Sequence, residues 1–417
     1  MGTIETINQI NKIRFKGLRE FECGNALVVP IKNPTKAKAS SLLKSLAAIF
    51  LKTNYSFSRG TNGVLFVFTS HYSGRKDYQS DYSSVSNSVI DSSKFESNQK
   101  KRFSFKKIVG LFRWFGWNKQ LKKVISNKSN RYACCNYLLI AYYSLNKIKH
   151  FYRKNGLPSL VITFCDVFTT DYLITSFFKQ KKVKTATLQH ASYCHLNEGS
   201  LYYSLSPSDY FLGINEYSLN EAILSGYDKN RFIICGPMKY IDSKPKNENH
   251  ASHSNRLIIG VALSGGGLGS ENLPILSCVT DFVKNHRQCS LVIRPHPTIP
   301  ISQYSQVLSN IPYEINSGSM SSFIDSCDIF ITGNSNVFLD LLGLGKLALR
   351  YSGYLDFFES IKAFSFSSSE ELSVTIETLL KDSHSFDAEI KKYKQYVAPC
   401  GDIKKNYIDT IINLSEV

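Results

Sequence analysis

Four short stretches of the chain carry residue types suited to gripping an activated phosphate. The first is TLQHASY, where His190 directly follows an apolar run. An imidazole titrates near neutral pH, so it can take a proton from a hydroxyl or hydrogen-bond a phosphate. His195 and Glu198 follow in the same loop and can share that task. Asp166, which ends the run SLVITFCD, is a further acid–base candidate. A lone histidine is often structural, but in open α/β sheets ligands collect beyond the carboxyl ends of strands, and that is where His190 is expected.

The second stretch is LVIRPHPTIP. Its apolar part reads as a buried strand, which Arg294, Pro295, His296 and Pro297 close. The prolines stop the strand and fix the backbone, leaving a guanidinium and an imidazole at the sheet margin. That pair suits a pyrophosphate or a nucleotide phosphate; a solvated strand end is the bland alternative. The third is ITGNSNVFLDLLGLGK. Asn334, Ser335 and Asn336 lie between a strand and a helix, where backbone N–H groups and the helix dipole favour an anion. The same residues also make an ordinary N-cap, and Asp340 lies further along that helix. The fourth, SGGGLGS, puts Ser264, Gly265 and Gly266 after a strand. No GK[ST] follows it, so it is not a Walker loop, and by itself it is equally a flexible loop.

No DxD, HExxH or CxxC occurs, so no metal is expected. Basic side chains and helix termini would replace a cation.

The elements that must position these residues follow from hydrophobic periodicity. Strands are expected at 62–70, 159–166, 183–190, at the start of SPSDYFLGINEYSLNEAILSGYD (206–228), and at 231–238, 256–263, 289–297, 327–334 and 346–353, alternating with helices. That alternation means βαβ units and parallel sheets. A helix is expected from about Arg131 to Lys154, and the tail from Glu370 onward also reads as helical. Earlier in the chain, NALVVPI (25–31) reads as a strand and KAKASSLLKSLAAIFLK as an amphipathic helix. Residues 71–100, rich in Ser, Tyr, Asn and Asp, read as a long excursion with at most one weak strand near SSVSNSVI. The polar run 241–255 reads as a linker. The expected division is therefore residues 1–240, the linker 241–255, a nucleotide-binding domain over 256–385, and a helical tail over 386–417.

The chain has 417 residues, long enough for two domains. Fifty Lys and Arg against 33 Asp and Glu give a net charge of +17, which calls for a polyanionic partner. Between Lys100 and Lys128 there are ten basic residues and no acid, around both tryptophans, Trp114 and Trp117. A helix with an aromatic core face is one reading. The sharper one is a patch at 100–128 that meets an anionic membrane surface. No nucleic-acid-binding signature accompanies it. The ten cysteines sit mostly in apolar runs and read as buried thiols of a reducing compartment. No signal peptide or spanning helix is evident, so the expected location is cytoplasmic, peripheral on the inner face of the plasma membrane.

In this order the motifs resemble the GT-B-type glycosyltransferases and polyol-phosphate transferases of bacterial surface polysaccharides. The counterparts are His190, then Arg294 with His296 and Pro297, then Asn334-Ser335-Asn336 ahead of Phe338 and Asp340. The resemblance covers roughly residues 159–360. It implies an α/β fold of two Rossmann-like domains facing a cleft, with C-terminal helices packing back on the N-terminal domain. It implies a metal-independent transfer of a sugar, of the Kdo or sialic-acid type, from a CMP- or CDP-activated donor to a lipid-linked O-antigen or capsule acceptor. Arg294, His296, Asn334, Ser335 and Asn336 would hold the donor, joined by Ser264, Gly265 and Gly266. His190, Glu198 and Asp166 would serve the chemistry. Where the family has Trp-His-Gly this chain has Gln189-His190-Ala191, and the family's aspartate in the third motif is Gly333. These departures favour a sugar transferase over a CDP-glycerol or CDP-ribitol phosphotransferase. A non-catalytic basic protein is the alternative from another class.

Overall fold

The computed structural model describes residues 3–32, 55–57, 63–69, 76–97, 108–195, 200–238, 257–296, 299–318, 320–353, 357–382, 384–397 and 401–416. They form two compact units. One holds Met1–Ile214, Ser218–Ser243 and Cys400–Val417; the other holds Asn215–Tyr217 and Lys244–Pro399.

The first unit is built on a seven-stranded sheet. Its strands are β1 (Tyr55–Phe57), β2 (Val64–Phe68), β3 (Ser92–Ser97), β4 (Leu160–Thr163), β5 (Lys184–Leu188), β6 (Tyr210–Gly213) and β7 (Phe232–Ile234). They run in the order β1-β3-β2-β4-β5-β6-β7, and only β1 is antiparallel to its neighbour. β2 and β4 are buried throughout, as strands covered on both faces must be. Their side chains alternate between two cores. Leu65, Val67 and Val161 meet the helices Lys128–Asn155 and Thr169–Gln180, while Val64, Phe66 and Ile162 meet Tyr82, Val85, Tyr407 and Ile411. The last two lie on the helix Ile403–Glu416, so the end of the chain packs in the first unit.

Three expectations for this unit change. NALVVPI is helical: Cys23–Ala26 and Val28–Lys32 are short helices. The Asn11 side chain accepts from the backbone N–H groups of Gly24 (2.6 Å) and Asn25 (3.2 Å), and this long-range cap decides a run whose periodicity is ambiguous. The serine-rich stretch after residue 75 is the helix Lys76–Ser88, followed by β3. Tyr82, Val85, Ser86 and Val89 recur at helical spacing on its buried side, and that burial overrides the weak propensity of serine. The third change concerns the basic aromatic patch. Trp114 and Trp117 lie on the helix Ile108–Leu121 with 0% and 1% exposure, and the Trp114 indole N–H donates to Asn136 Oδ1 at 2.8 Å. Both rings are core, so they cannot enter a headgroup layer. Phe112 (77% exposed) and Phe115 (50%) occupy the outer face instead. Residues 98–107, the whole amphipathic stretch 36–52 and the expected linker lie outside the described residues.

The second unit has six parallel strands: β8 (Leu257–Ala262), β9 (Cys289–Arg294), β10 (Glu314–Ile315), β11 (Ile329–Thr332), β12 (Ala348–Tyr351) and β13 (Ser365–Phe366). Their order is β10-β9-β8-β11-β12-β13, which in chain order is 3-2-1-4-5-6, the Rossmann arrangement. Gly260 in β8 is required by packing, since a Cβ there would stand 2.7 Å from Cys327 Sγ and 2.9 Å from the Phe323 ring. The short strands β1, β3, β10 and β13 at or beside the sheet edges were not expected. β1, β10 and β13 have only two or three residues, and β3 (SSKFES) is mostly polar, so none carries a clear strand pattern. The nine described cysteines are all buried and unbridged. No helix among the described residues is long and apolar enough to cross a membrane.

The two faces of the helix Ile108–Leu121 respond differently to truncation. Trp114→Ala should cost about 3–5 kcal/mol in urea unfolding, whereas Phe112→Ser should change stability by less than about 0.5 kcal/mol.

Candidate functional site

In an open α/β sheet the ligand crevice opens where the strand order reverses. In the second unit that point lies between β8 and β11, which are neighbours in the sheet but lead the chain in opposite directions. Ser264 and Gly265 follow β8, His296 follows β9, and Asn334, Ser335 and Asn336 follow β11. The sheet therefore brings the carboxyl-end motifs of three adjacent strands together.

The Gly-rich segment is a fixed turn. Gly266–Glu271 forms a 3-10 helix leading into the helix Asn272–Asn285. Ser264 N–H donates to Asn272 Oδ1, and Asn272 Nδ2 donates to Ser264 O, each at 2.8 Å. Asn272 Nδ2 also donates to the Tyr304 hydroxyl at 2.8 Å. The Ser264 hydroxyl itself is buried and has no hydrogen-bond partner among the described residues. His296 packs directly over Gly265, where a Cβ would fall 2.3–2.5 Å from the ring atoms, so only glycine fits under the imidazole. Arg294 is half-buried, and its Nη1 donates to Asn316 Oδ1 (3.0 Å) and Gly318 O (2.7 Å). Burial lowers its proton affinity, yet a guanidinium stays charged.

The strand-to-helix loop after β11 is held by residues that the sequence motifs did not include. Glu271 accepts from the Asn334 backbone N–H through Oε2 (2.8 Å) and from Asn334 Nδ2 through Oε1 (2.6 Å). Asn334 Oδ1 in turn accepts from Arg350 Nη1 (2.9 Å) and from the Phe357 N–H (3.1 Å). Arg350 is fully buried between Phe338 and Phe358 and donates a second bond to Ser365 Oγ at 2.9 Å. One amide thus joins a buried carboxylate to a buried guanidinium. A Cβ at position 333 would lie 2.3 Å from Glu271 Oε2, so Gly333 leaves room for that carboxylate. Ser335 caps the helix Asn336–Gly343, accepting from the Val337 N–H at 3.4 Å. Asp340 sits half-buried one turn further along the helix.

In the first unit, His190 lies two residues beyond β5. Its ring stacks on Phe164 and meets the edge of Tyr193, and a 3.1 Å hydrogen bond links Nδ1 to the Tyr193 hydroxyl. Cys165, next to Phe164, has φ +120°, a conformation that costs energy in any non-glycine residue. Asp166 is 1% exposed; its Oδ2 accepts from Ser206 Oγ (2.6 Å) and the Ser208 N–H (3.1 Å), which ties two loops together. Asp171, which lies outside the sequence motifs, is buried beside the reversal between β2 and β4. It accepts from Thr69 Oγ1 at 2.6 Å through Oδ2, and its Oδ1 has no partner among the described residues. Burial pushes the Asp171 carboxyl well above the ordinary range, more strongly than it does Asp166. Glu198 lies outside the described residues. His195 donates from both its backbone N–H (2.7 Å) and Nδ1 (2.8 Å) to Glu221 Oε2. Among the described residues one group of Cys, His and carboxylate atoms lies close enough to share an ion: Cys194, His195 and Glu221, within 4.8 Å of one another.

Comparison with solved structures then settles the architecture. The fold is GT-B-like. The UDP-N-acetylglucosamine 2-epimerase of Neisseria meningitidis bound to UDP-GlcNAc is 13% identical, with a TM-score of 0.53 over 84% of this chain and 100% of its own. The S. aureus MnaA–UDP structure is 12% identical, with a TM-score of 0.53 over 84% and 97%. The glycotransferase of kitacinnamycin is 10% identical, with a TM-score of 0.50 over 86% and 99%. At these identities the likeness is one of fold. No protein-family model matches the chain, and no curated protein matches it.

The raised Asp171 carboxyl has a measurable consequence. The folded protein keeps this proton over a pH range in which the unfolded chain, with an ordinary pKa of about 3.9, has lost it. Stability therefore falls as pH rises above about 4. Asp171→Asn keeps an acceptor for Thr69 and removes the titration. Its melting temperature should match the wild type's near pH 4 and exceed it at pH 8, as followed by circular dichroism.

Proposed function

We propose that the protein is a glycosyltransferase that moves a sugar from a cytidine-nucleotide donor, of the CMP-Kdo or CMP-sialic acid class, to a lipid-linked O-antigen or capsule acceptor. The observation that carries this reading is the Ser264 hydroxyl, buried and without a partner among the described residues, at the strand-order reversal of a Rossmann-type sheet. Beside it lie the His296 imidazole and the loop that opens the helix Asn336–Gly343. A donor phosphate there would meet a hydroxyl, an imidazole and the positive end of a helix. Arg294 adds charge at the margin, and the Glu271–Asn334–Arg350 chain keeps the loop in position.

In the proposed reaction an acceptor hydroxyl oxygen attacks the anomeric carbon of the donor sugar. The bond from that carbon to the phosphate oxygen breaks, and its electron pair leaves with the nucleotide phosphate. His190, oriented by Phe164 and Tyr193, takes the hydroxyl proton. Asp166 acts by holding the neighbouring loops through Ser206 and Ser208. The donor-side groups stabilise the charge that develops on the departing phosphate, and no divalent ion is assigned to that phosphate. The acceptor's lipid would lie against the exposed face of the helix Ile108–Leu121. Phe112, Phe115 and Lys119 with the nearby Lys122 and Lys123 form that face, and the protein would work peripherally at an anionic membrane surface.

A second reading is favoured by the UDP-N-acetylglucosamine 2-epimerase and the UDP-bound MnaA among the structural neighbours: an epimerase would bind a UDP-sugar and need no acceptor. A CDP-polyol phosphotransferase would use the same donor pocket but break the pyrophosphate bond.

A thermal-shift panel of CMP, CDP, UDP and GDP separates these readings, because a ligand at 100 times its Kd adds about 2.7 kcal/mol to stability. Stabilisation by CMP or CDP is expected; stabilisation by UDP alone would overturn the donor assignment. His296→Ala should leave the melting temperature of the unliganded protein unchanged, abolish the nucleotide shift and lower turnover on the order of 10²-fold.

A further inference from the structure

We propose that Cys194, His195 and Glu221 form a binding site for a divalent transition-metal ion of the zinc class, distinct from the proposed donor pocket. The three donors come from two elements. Cys194 and His195 lie in the loop after β5, and Glu221 lies on the helix Glu216–Leu224. Their ligand atoms are within 4.8 Å of one another, so a small side-chain adjustment brings them to the roughly 2.0–2.3 Å bond lengths of a zinc shell.

The loop is already fixed to the helix. Ser192 Oγ and Ser218 Oγ are hydrogen-bonded at 2.9 Å, and the His195 backbone N–H donates to Glu221. The Tyr203 hydroxyl donates to Ser218 O at 3.3 Å and accepts from Gln189 Nε2 at 3.1 Å. Such supporting contacts hold ligands in place before an ion arrives.

Charge balance points the same way. Glu221 and Cys194 are 4% and 6% exposed, and among the described residues the only ion-pair partner of Glu221 is His195. A buried carboxylate and a thiolate are balanced by one divalent cation with a neutral imidazole. Binding would release the thiol proton, and the ion would stand where the His195–Glu221 hydrogen bond now runs. A sulfur, an imidazole nitrogen and a carboxylate oxygen together suit zinc better than magnesium or calcium. Three protein ligands leave a coordination position open, in the loop that also carries His190. No local sequence motif announces the set, because Glu221 lies 26 residues beyond His195.

The test is a cobalt titration of the full chain after chelator treatment. One equivalent of Co²⁺ should bind with a thiolate-to-cobalt charge-transfer band in the near ultraviolet, and Zn²⁺ should displace it. Cys194→Ser should abolish the band, and Glu221→Gln should weaken binding by more than about tenfold. No binding, binding without the sulfur band, or a band that survives in Cys194→Ser would overturn the proposal and leave His195–Glu221 as an ion pair alone. If Cys194→Ser does not fold, His195→Asn serves in its place, with the same expected weakening as Glu221→Gln. Because the set lies in the first unit, the nucleotide thermal shift should be the same with and without metal, so failure here is separable from failure of the donor assignment.

Discussion

A buried carboxylate and a buried guanidinium that never touch, joined through one asparagine, fix the second unit's working edge. Glu271, Asn334 and Arg350 come from the end of the glycine-rich turn, the loop after β11 and the strand β12. Each charge would be costly to bury alone. Linked through the amide, each charge gains a polar partner. The linkage also sets the distance between two loops that a ligand would have to span. Several local features follow from it. Gly333 leaves room for the carboxylate, Ser264 is tied to Asn272 one residue beyond Glu271, and the glycines of SGGGLGS fold into a 3-10 helix. The cationic end of the chain is clamped between Phe338 and Phe358, so the polar network is anchored in the hydrophobic core of its own unit.

The first unit solves a related problem differently. Its sheet reversal holds Asp171 and Thr69, and the neighbouring strand ends carry Cys165 in a strained conformation and Asp166 between two loops. Among the described residues no guanidinium pairs with Asp171, and burial raises its carboxyl's affinity for a proton. The two sheets therefore place polar groups at equivalent topological points but stabilise them by ionic linkage in one case and by neutrality in the other.

Much of this architecture was legible in the residues. Apolar runs of four to six residues marked the central strands, because a strand buried on both faces needs no polar alternation. The three carboxyl-end motifs of the second unit were legible too, since proline, glycine and small polar residues punctuate strand ends. Edge strands of two or three residues carried too little pattern. The serine-rich helix Lys76–Ser88 was hidden because its few buried residues decide its structure against the preference of the rest. The tryptophans of the basic stretch were ambiguous because one amphipathic pattern serves a core face and a membrane face equally. Glu271 and Arg350 were invisible for another reason. Their partner Asn334 lies 63 residues after the first and 16 before the second, and no local spacing announces such a contact.

The helix Ile403–Glu416 has a consequence for how the chain is made. Tyr407 and Ile411 complete a core of the first unit, and the Tyr407 hydroxyl donates to Gly236 O at 2.8 Å. On the ribosome, one side of the first sheet lacks the cover of this helix while Lys244–Pro399 is synthesised. Nascent chains stalled within that interval would present Val64, Phe66 and Ile162 beneath an unfinished layer, a natural target for chaperones that recognise apolar strands.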